Sequence, residues 1–132
     1  MFSVGLEYFF AGAREQPIVA IARKASRVAL PERPGARDAA YRFESLDYGA
    51  TERSFNAYYA EFLPQPNERR MRPHSHPGVE FLYVLQGTLS LQVGDQEQVL
   101  DAGDAIYFDA TVPHGYRRAG TRSCSAIVVT AA

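Results

Sequence analysis

The chain has 132 residues, a length that suits one domain with a real apolar core, and its 46% hydrophobic and 22% charged residues exclude a disordered chain. A formal net charge of −1 argues against a nucleic-acid footprint, and no run approaches the roughly 20 apolar residues that a membrane helix requires. The start, Met1-Phe2-Ser3-Val4-Gly5-Leu6-Glu7, lacks the basic, apolar character of a secretory signal, and Cys124 has no partner for a disulfide, so a cytoplasmic location is expected.

Residues 1–16 hold one predicted short helix around 7–14, with no room for a helix-turn-helix. Residues 17–21 and 27–30 are β-like, and Pro31-Glu32-Arg33-Pro34-Gly35 follows them as a loop. Residues 41–46 read as a strand, and the aromatic, alternating stretch 54–63 reads as another that Pro64-Gln65-Pro66-Asn67 closes. From Val79 onward, strands at 79–86, 88–93, 96–100, 105–109, 115–118 and 123–130 alternate with joints at Gln86-Gly87, Gly94-Asp95, Asp101-Ala102-Gly103-Asp104 and Ala119-Gly120. This spacing suits an all-β barrel or sandwich rather than a βαβ fold. Gly94-Asp95 falls where a two-residue hairpin turn needs positive φ, which favours glycine first. The 79–86 strand is apolar on both faces, with Glu80, Leu82 and Val84 on one and Phe81, Tyr83 and Leu85 on the other. It is therefore expected to be covered on both sides.

The chemistry is concentrated at His74-Ser75-His76-Pro77-Gly78-Val79-Glu80. Histidines at i and i+2 of an extended segment project from one face and aim two imidazoles at one point. Glu80 keeps that parity if the strand is regular across Pro77-Gly78, whereas a bulge there would aim it differently. His114 lies far along the chain after Val112-Pro113, and closure of a barrel brings distant strands together. His74, His76, Glu80 and His114 thus read as ligands of one divalent transition-metal ion with coordination positions left open. Iron, manganese, nickel, zinc, cobalt and copper all suit this set. The alternative is a metal-free polar pocket in which the four residues bind water or a ligand directly.

Further pocket candidates surround this set. Leu82 shares the face of Glu80, and Tyr59, Glu61, Tyr107 and Tyr116 could supply an acid or base, although each also reads as barrel packing. Arg72, clustered with Arg69 and Arg70, reads as a solvated loop face or as a group that holds an anion at the barrel mouth.

At these residues the chain resembles the cupin superfamily. His74-Ser75-His76, Glu80 and Gly87 fit the first cupin motif, and Gly103-Asp104-Ala105-Ile106-Tyr107-Phe108 with Pro113-His114-Gly115-Tyr116 fits the second. Two departures concern the pocket edge: Ala110-Thr111-Val112-Pro113 replaces the usual proline-x-glycine, and Arg118 stands where many members carry asparagine. The resemblance implies a double-stranded β-helix, or jelly-roll, barrel over a single domain, 1–132. It divides into a connector-like start (1–16), N-terminal strands (17–66) and the motif core (67–132). Gly5-Leu6-Glu7-Tyr8-Phe9-Phe10 and Tyr41-Arg42-Phe43-Glu44-Ser45-Leu46 are further similar to segments of helix-turn-helix regulators of the XRE–cupin type.

That narrower resemblance implies a sensor domain that binds a small-molecule effector and lacks its DNA-binding part. The alternative is a small metalloenzyme, a dioxygenase, isomerase or epimerase. Phosphonate epoxidases also join a helix-turn-helix to a cupin. A homodimer that buries outer barrel surface is expected from the usual dimerisation of similar cupins, with a small-molecule ligand and no direct binding to nucleic acid or membrane.

Overall fold

A computed structural model describes residues 17–30, 40–65 and 71–132. These residues form a 3₁₀ turn at Lys24–Ser26 and nine strands. The strands are β1 (Val28–Leu30), β2 (Tyr41–Ser45), β3 (Asn56–Phe62), β4 (Val79–Gln86), β5 (Thr88–Val93), β6 (Gln96–Asp101), β7 (Ala105–Asp109), β8 (His114–Ala119) and β9 (Cys124–Ala131). Two antiparallel sheets result, ordered β1-β2-β3-β9-β4-β7 and β6-β5-β8. This is the expected all-β jelly-roll, and its strands begin and end within two residues of the predicted ones.

One expectation changes. Residues 17–21 carry no strand: Val19 and Ile21 are 79% and 63% exposed, so their β-branched side chains meet no sheet to pair with. The outer row of β4, Phe81, Tyr83 and Leu85, is exposed. The predicted helix at 7–14, the loop at 31–35, and Arg69 and Arg70 lie outside the described residues.

Alternation decides which side chains enter the core. On β4, Glu80, Leu82 and Val84 are buried while their neighbours face outward. Leu82, Val84, Phe62 and Val128 from the larger sheet meet Leu89 and Leu91 from the smaller one. Each fully buried side chain of this size stabilises the fold by about 1.5–3 kcal/mol. Gly94 has φ 61° and no described non-glycine residue has positive φ, as a type II′ turn at Gly94-Asp95 requires.

The same pairing positions the histidines. His74 and His114 form an antiparallel bridge, exchanging two backbone hydrogen bonds of 2.9 Å. The His76 N–H donates to the Ala110 carbonyl at 3.0 Å, so the segment before β4 lies along the connection between β7 and β8. Gly78, at φ 88°, turns the chain between His76 and Glu80 beneath the end of β9. A Cβ there would come within 1.8 Å of the Ala131 carbonyl oxygen, so only glycine fits.

Candidate metal centre

Three of the four predicted ligands converge. His76, Glu80 and His114 each offer one ligand atom, and these atoms lie within 4.8 Å of one another. Glu80 and His114 are each only 1% exposed, while His76 stands at the rim.

Hydrogen bonds fix which nitrogen of each ring faces the centre. His114 Nδ1–H donates to the Val112 carbonyl at 2.9 Å, and His76 Nδ1–H donates to the Pro77 carbonyl at 3.2 Å. A carbonyl can only accept, so in the neutral tautomers that donate to these carbonyls both Nε2 atoms carry lone pairs, whereas the other tautomer of His76 donates from Nε2 to Glu80. Those lone pairs point at the same carboxylate oxygen, Glu80 Oε1, at 3.1 Å from His76 and 3.5 Å from His114. His114 Nε2 is buried without a hydrogen-bond partner. The other oxygen of Glu80, Oε2, accepts the hydroxyl of Tyr116.

With the ring nitrogens deprotonated, three electron-rich atoms aimed at one point repel one another, and either a proton between a ring nitrogen and Glu80 or a metal ion among them relieves this. Metal-bound histidines typically donate their second N–H to a backbone carbonyl, as both rings do here. The residues present therefore fit a divalent transition metal, with His76 and His114 supplying Nε2 and Glu80 supplying Oε1.

His74, the fourth expected ligand, stands next to this group and lines the same cavity. Its ring centroid lies 4.3 Å from that of His114 and 6.4 Å from that of His76. A hydrogen bond to the backbone of Arg72 holds the ring.

The electrostatics follow from crowding. Burial lowers the pKa of His74, and the nearby His114 lowers it further. For His114 burial also pulls downward, but Glu80 and the Val112 carbonyl together carry it above the ordinary histidine value. Burial pushes Glu80 upward, yet contacts with His114, Tyr116 and His76 hold its carboxyl below its ordinary value. The phenol of Tyr116 is pushed well up, first by burial and then by the Glu80 charge, so it remains a donor through the neutral range.

A cavity of about 430 Å³ opens beside the centre. His74, His76, Glu80 and Tyr116 line its base, and Leu30, Tyr41, Phe43, Tyr58 and Thr130 form its walls. Of the remaining sequence candidates, Leu82 lies fully buried in the core beneath Glu80. Tyr59 faces outward on β3 with the Arg27 guanidinium 4.7 Å above its ring. Glu61 is ion-paired with Arg42, and Tyr107 is 69% exposed on the outer face of β7. Arg72 meets the site through its backbone.

Sequence reasoning missed Tyr41, Phe43 and Tyr58. Their alternation marked them as strand residues. Only the β2–β3 register, with Phe43 opposite Ala60 and Ser45 opposite Tyr58, puts their side chains on the cavity side.

The fold has known counterparts. The structure is similar to Fe(II)-HppE with the alternative substrate (S)-1-HPP, at 28% identity and a TM-score of 0.68, over 85% of this chain and 60% of that one. Hydroxypropylphosphonic acid epoxidase from S. wedmorenis in complex with fosfomycin is 27% identical with a TM-score of 0.66, over 85% and 59% of the two chains. CoII HppE in complex with substrate is 26% identical with a TM-score of 0.58, over 76% and 57%. The chain thus spans about 60% of the length of the first of these proteins. A comparison with curated proteins finds no match. The family model described as the cupin domain matches residues 60–130. A match of that extent, over a fold whose strands carry both histidine segments to one place, makes this chain a member of the cupin family.

Proposed function

We propose that this chain is the effector-binding domain of a regulator, holding one divalent transition-metal ion at which a small molecule docks. The observation that carries this reading is the aromatic wall of Tyr41, Phe43 and Tyr58 beside the centre, a surface that suits binding. Tyr59, Glu61 and Tyr107 stand away from the centre, and Tyr116 is committed to Glu80. Isomerase or epimerase chemistry needs a group free to move a proton beside the bound molecule, and His74, which lines the cavity, is the residue an enzyme would use for it. When bound, the ion would supply a positive centre for an oxygen ligand and offset the buried Glu80 charge.

A second reading, an oxygen-using metalloenzyme, draws on the similarity to Fe(II)-HppE, since chemistry of that kind can proceed without a protein acid. One experiment separates the two. Protein loaded with Fe(II) under anaerobic conditions is mixed with oxygenated buffer and a panel of small carboxylates and phosphonates in an oxygen electrode. The sensor reading expects binding, seen as a rise in melting temperature, without oxygen uptake above that of the loaded protein alone. Uptake that depends on one added compound would favour the enzyme.

The same reading includes a homodimer formed through the outer face of the larger sheet. Phe81 (37% exposed), Tyr83 (40%), Leu85 (45%) and Tyr107 (69%) lie on that face, with Phe81 paired opposite Tyr107. With about 200 Å² for each side chain, their exposed parts reach on the order of 350–400 Å². That is nearly half of the roughly 800 Å² each partner contributes to a standard interface. A second copy supplies the same patch, which a two-fold contact requires.

A further inference from the structure

We infer that the cavity beside the metal set selects a small monoanion with a flat aromatic body, an arene carboxylate in chemical class. This deepens the metal-centred reading above and rests on it. Two features of the site act on two ends of such a molecule.

The first feature is charge. With His74, His76 and His114 neutral and Glu80 ionised, a divalent ion leaves the centre with one net positive charge. A single carboxylate neutralises it, whereas a neutral molecule leaves the charge buried. Because Tyr116 holds Glu80 Oε2, only Oε1 faces the ring nitrogens, which leaves room for a second oxygen donor from the cavity side.

The second feature is the wall. Tyr41 and Phe43 have ring centroids 5.0 Å apart, Phe43 and Tyr58 are 5.3 Å apart, and Tyr41 meets the edge of Tyr116 at 5.4 Å. These rings adjoin one another along the cavity as one aromatic surface. Tyr41, Phe43 and Tyr58 are only partly buried, so the surface still has area to cover. A cavity of about 430 Å³ accepts a single ring and its headgroup. An aromatic body placed there gains offset or edge-to-face contacts as well as burial. Covering roughly 80 Å² of ligand ring corresponds to about a 30-fold gain in affinity over a carboxylate without a ring.

The test uses Co(II)-loaded protein, with one cobalt per chain first established by elemental analysis, and follows the visible cobalt absorption during titration. The probes are benzoate, acetate and benzyl alcohol. Benzoate is expected to perturb the spectrum with at least about tenfold higher affinity than acetate, and benzyl alcohol is expected to leave it unchanged at the same concentrations. Phe43→Ala should narrow the gap between benzoate and acetate. If that variant fails to fold, the three-probe comparison on the natural chain decides alone. Equal affinities for benzoate and acetate in fully loaded protein overturn the aromatic selection and leave the metal centre standing. Benzyl alcohol binding as tightly as benzoate overturns the charge argument. Failure to retain cobalt removes the metal-centred reading and this inference together.

Discussion

Replacing Tyr116 with phenylalanine removes one oxygen and tests how the centre is held together before any metal arrives. Tyr116 is 4% exposed and Glu80 is 1% exposed, so no water takes over the lost contact without rearrangement. In the metal-free protein Glu80 Oε2 would lose the hydroxyl that it accepts. A hydrogen bond to a charged group is worth about 1.5–3 kcal/mol, and the bare oxygen adds its own desolvation cost. At roughly 3–5 °C per kcal/mol for a domain of this size, Tyr116→Phe should lower the melting temperature of the metal-free protein by about 5–15 °C. In metal-loaded protein the freed oxygen can turn towards the ion, so the loss should be less than half as large. Thermal melts followed by circular dichroism, with chelator and then with one equivalent of Ni(II), give both numbers. A metal-free drop below 2 °C, or an equal drop in both states, would show that the Tyr116–Glu80 contact does not organise the site.

Four further outcomes are expected. His76→Ala and His114→Ala should each lose most of the bound metal in elemental analysis, while Glu80→Gln, which keeps an oxygen, should lose less. If both histidine variants retain one ion per chain, the ligand assignment is refuted. Metal occupancy should fall as pH drops through the histidine range, beginning above the ordinary value of about 6.5 because the pKa of His114 is raised. Chelator competition at pH 8 and pH 5.5 would measure this. In metal-free protein the raised His114 contributes stability that is present below its unfolded value and lost as pH rises through its higher folded one. The depressed Glu80 contributes stability that is present above its unfolded value and lost as pH falls through its lower folded one, so urea midpoints should fall steeply in acid. Sedimentation at micromolar concentration should report a dimer, and Tyr83→Glu should dissociate it without altering metal content. A monomeric natural chain would refute the outer-face interface.

The sequence by itself determined the architecture and much of the centre. Short alternating strands with glycine at the joints can bury their apolar rows only in a closed all-β fold, so the strand set was legible almost to the residue. The pair His74 and His76, the following Glu80 and the remote His114 carried the chemistry, because few other roles bring these residue types together. Tertiary structure decided the rest, since it depends on register and on contacts between distant segments. The backbone bridge between His74 and His114, and the turn at Gly78, put Nε2 of His76 and His114 against Glu80 Oε1 with the His74 ring beside His114. Tyr59, Glu61 and Tyr107 have the chemistry of acids and bases, but strand parity turns them to the outer surface. Tyr41, Phe43 and Tyr58 look like ordinary strand aromatics in the sequence. The pairing of β2 with β3 gathers them into one wall of the cavity, because side chains two residues apart share a face and register fixes which face looks inward.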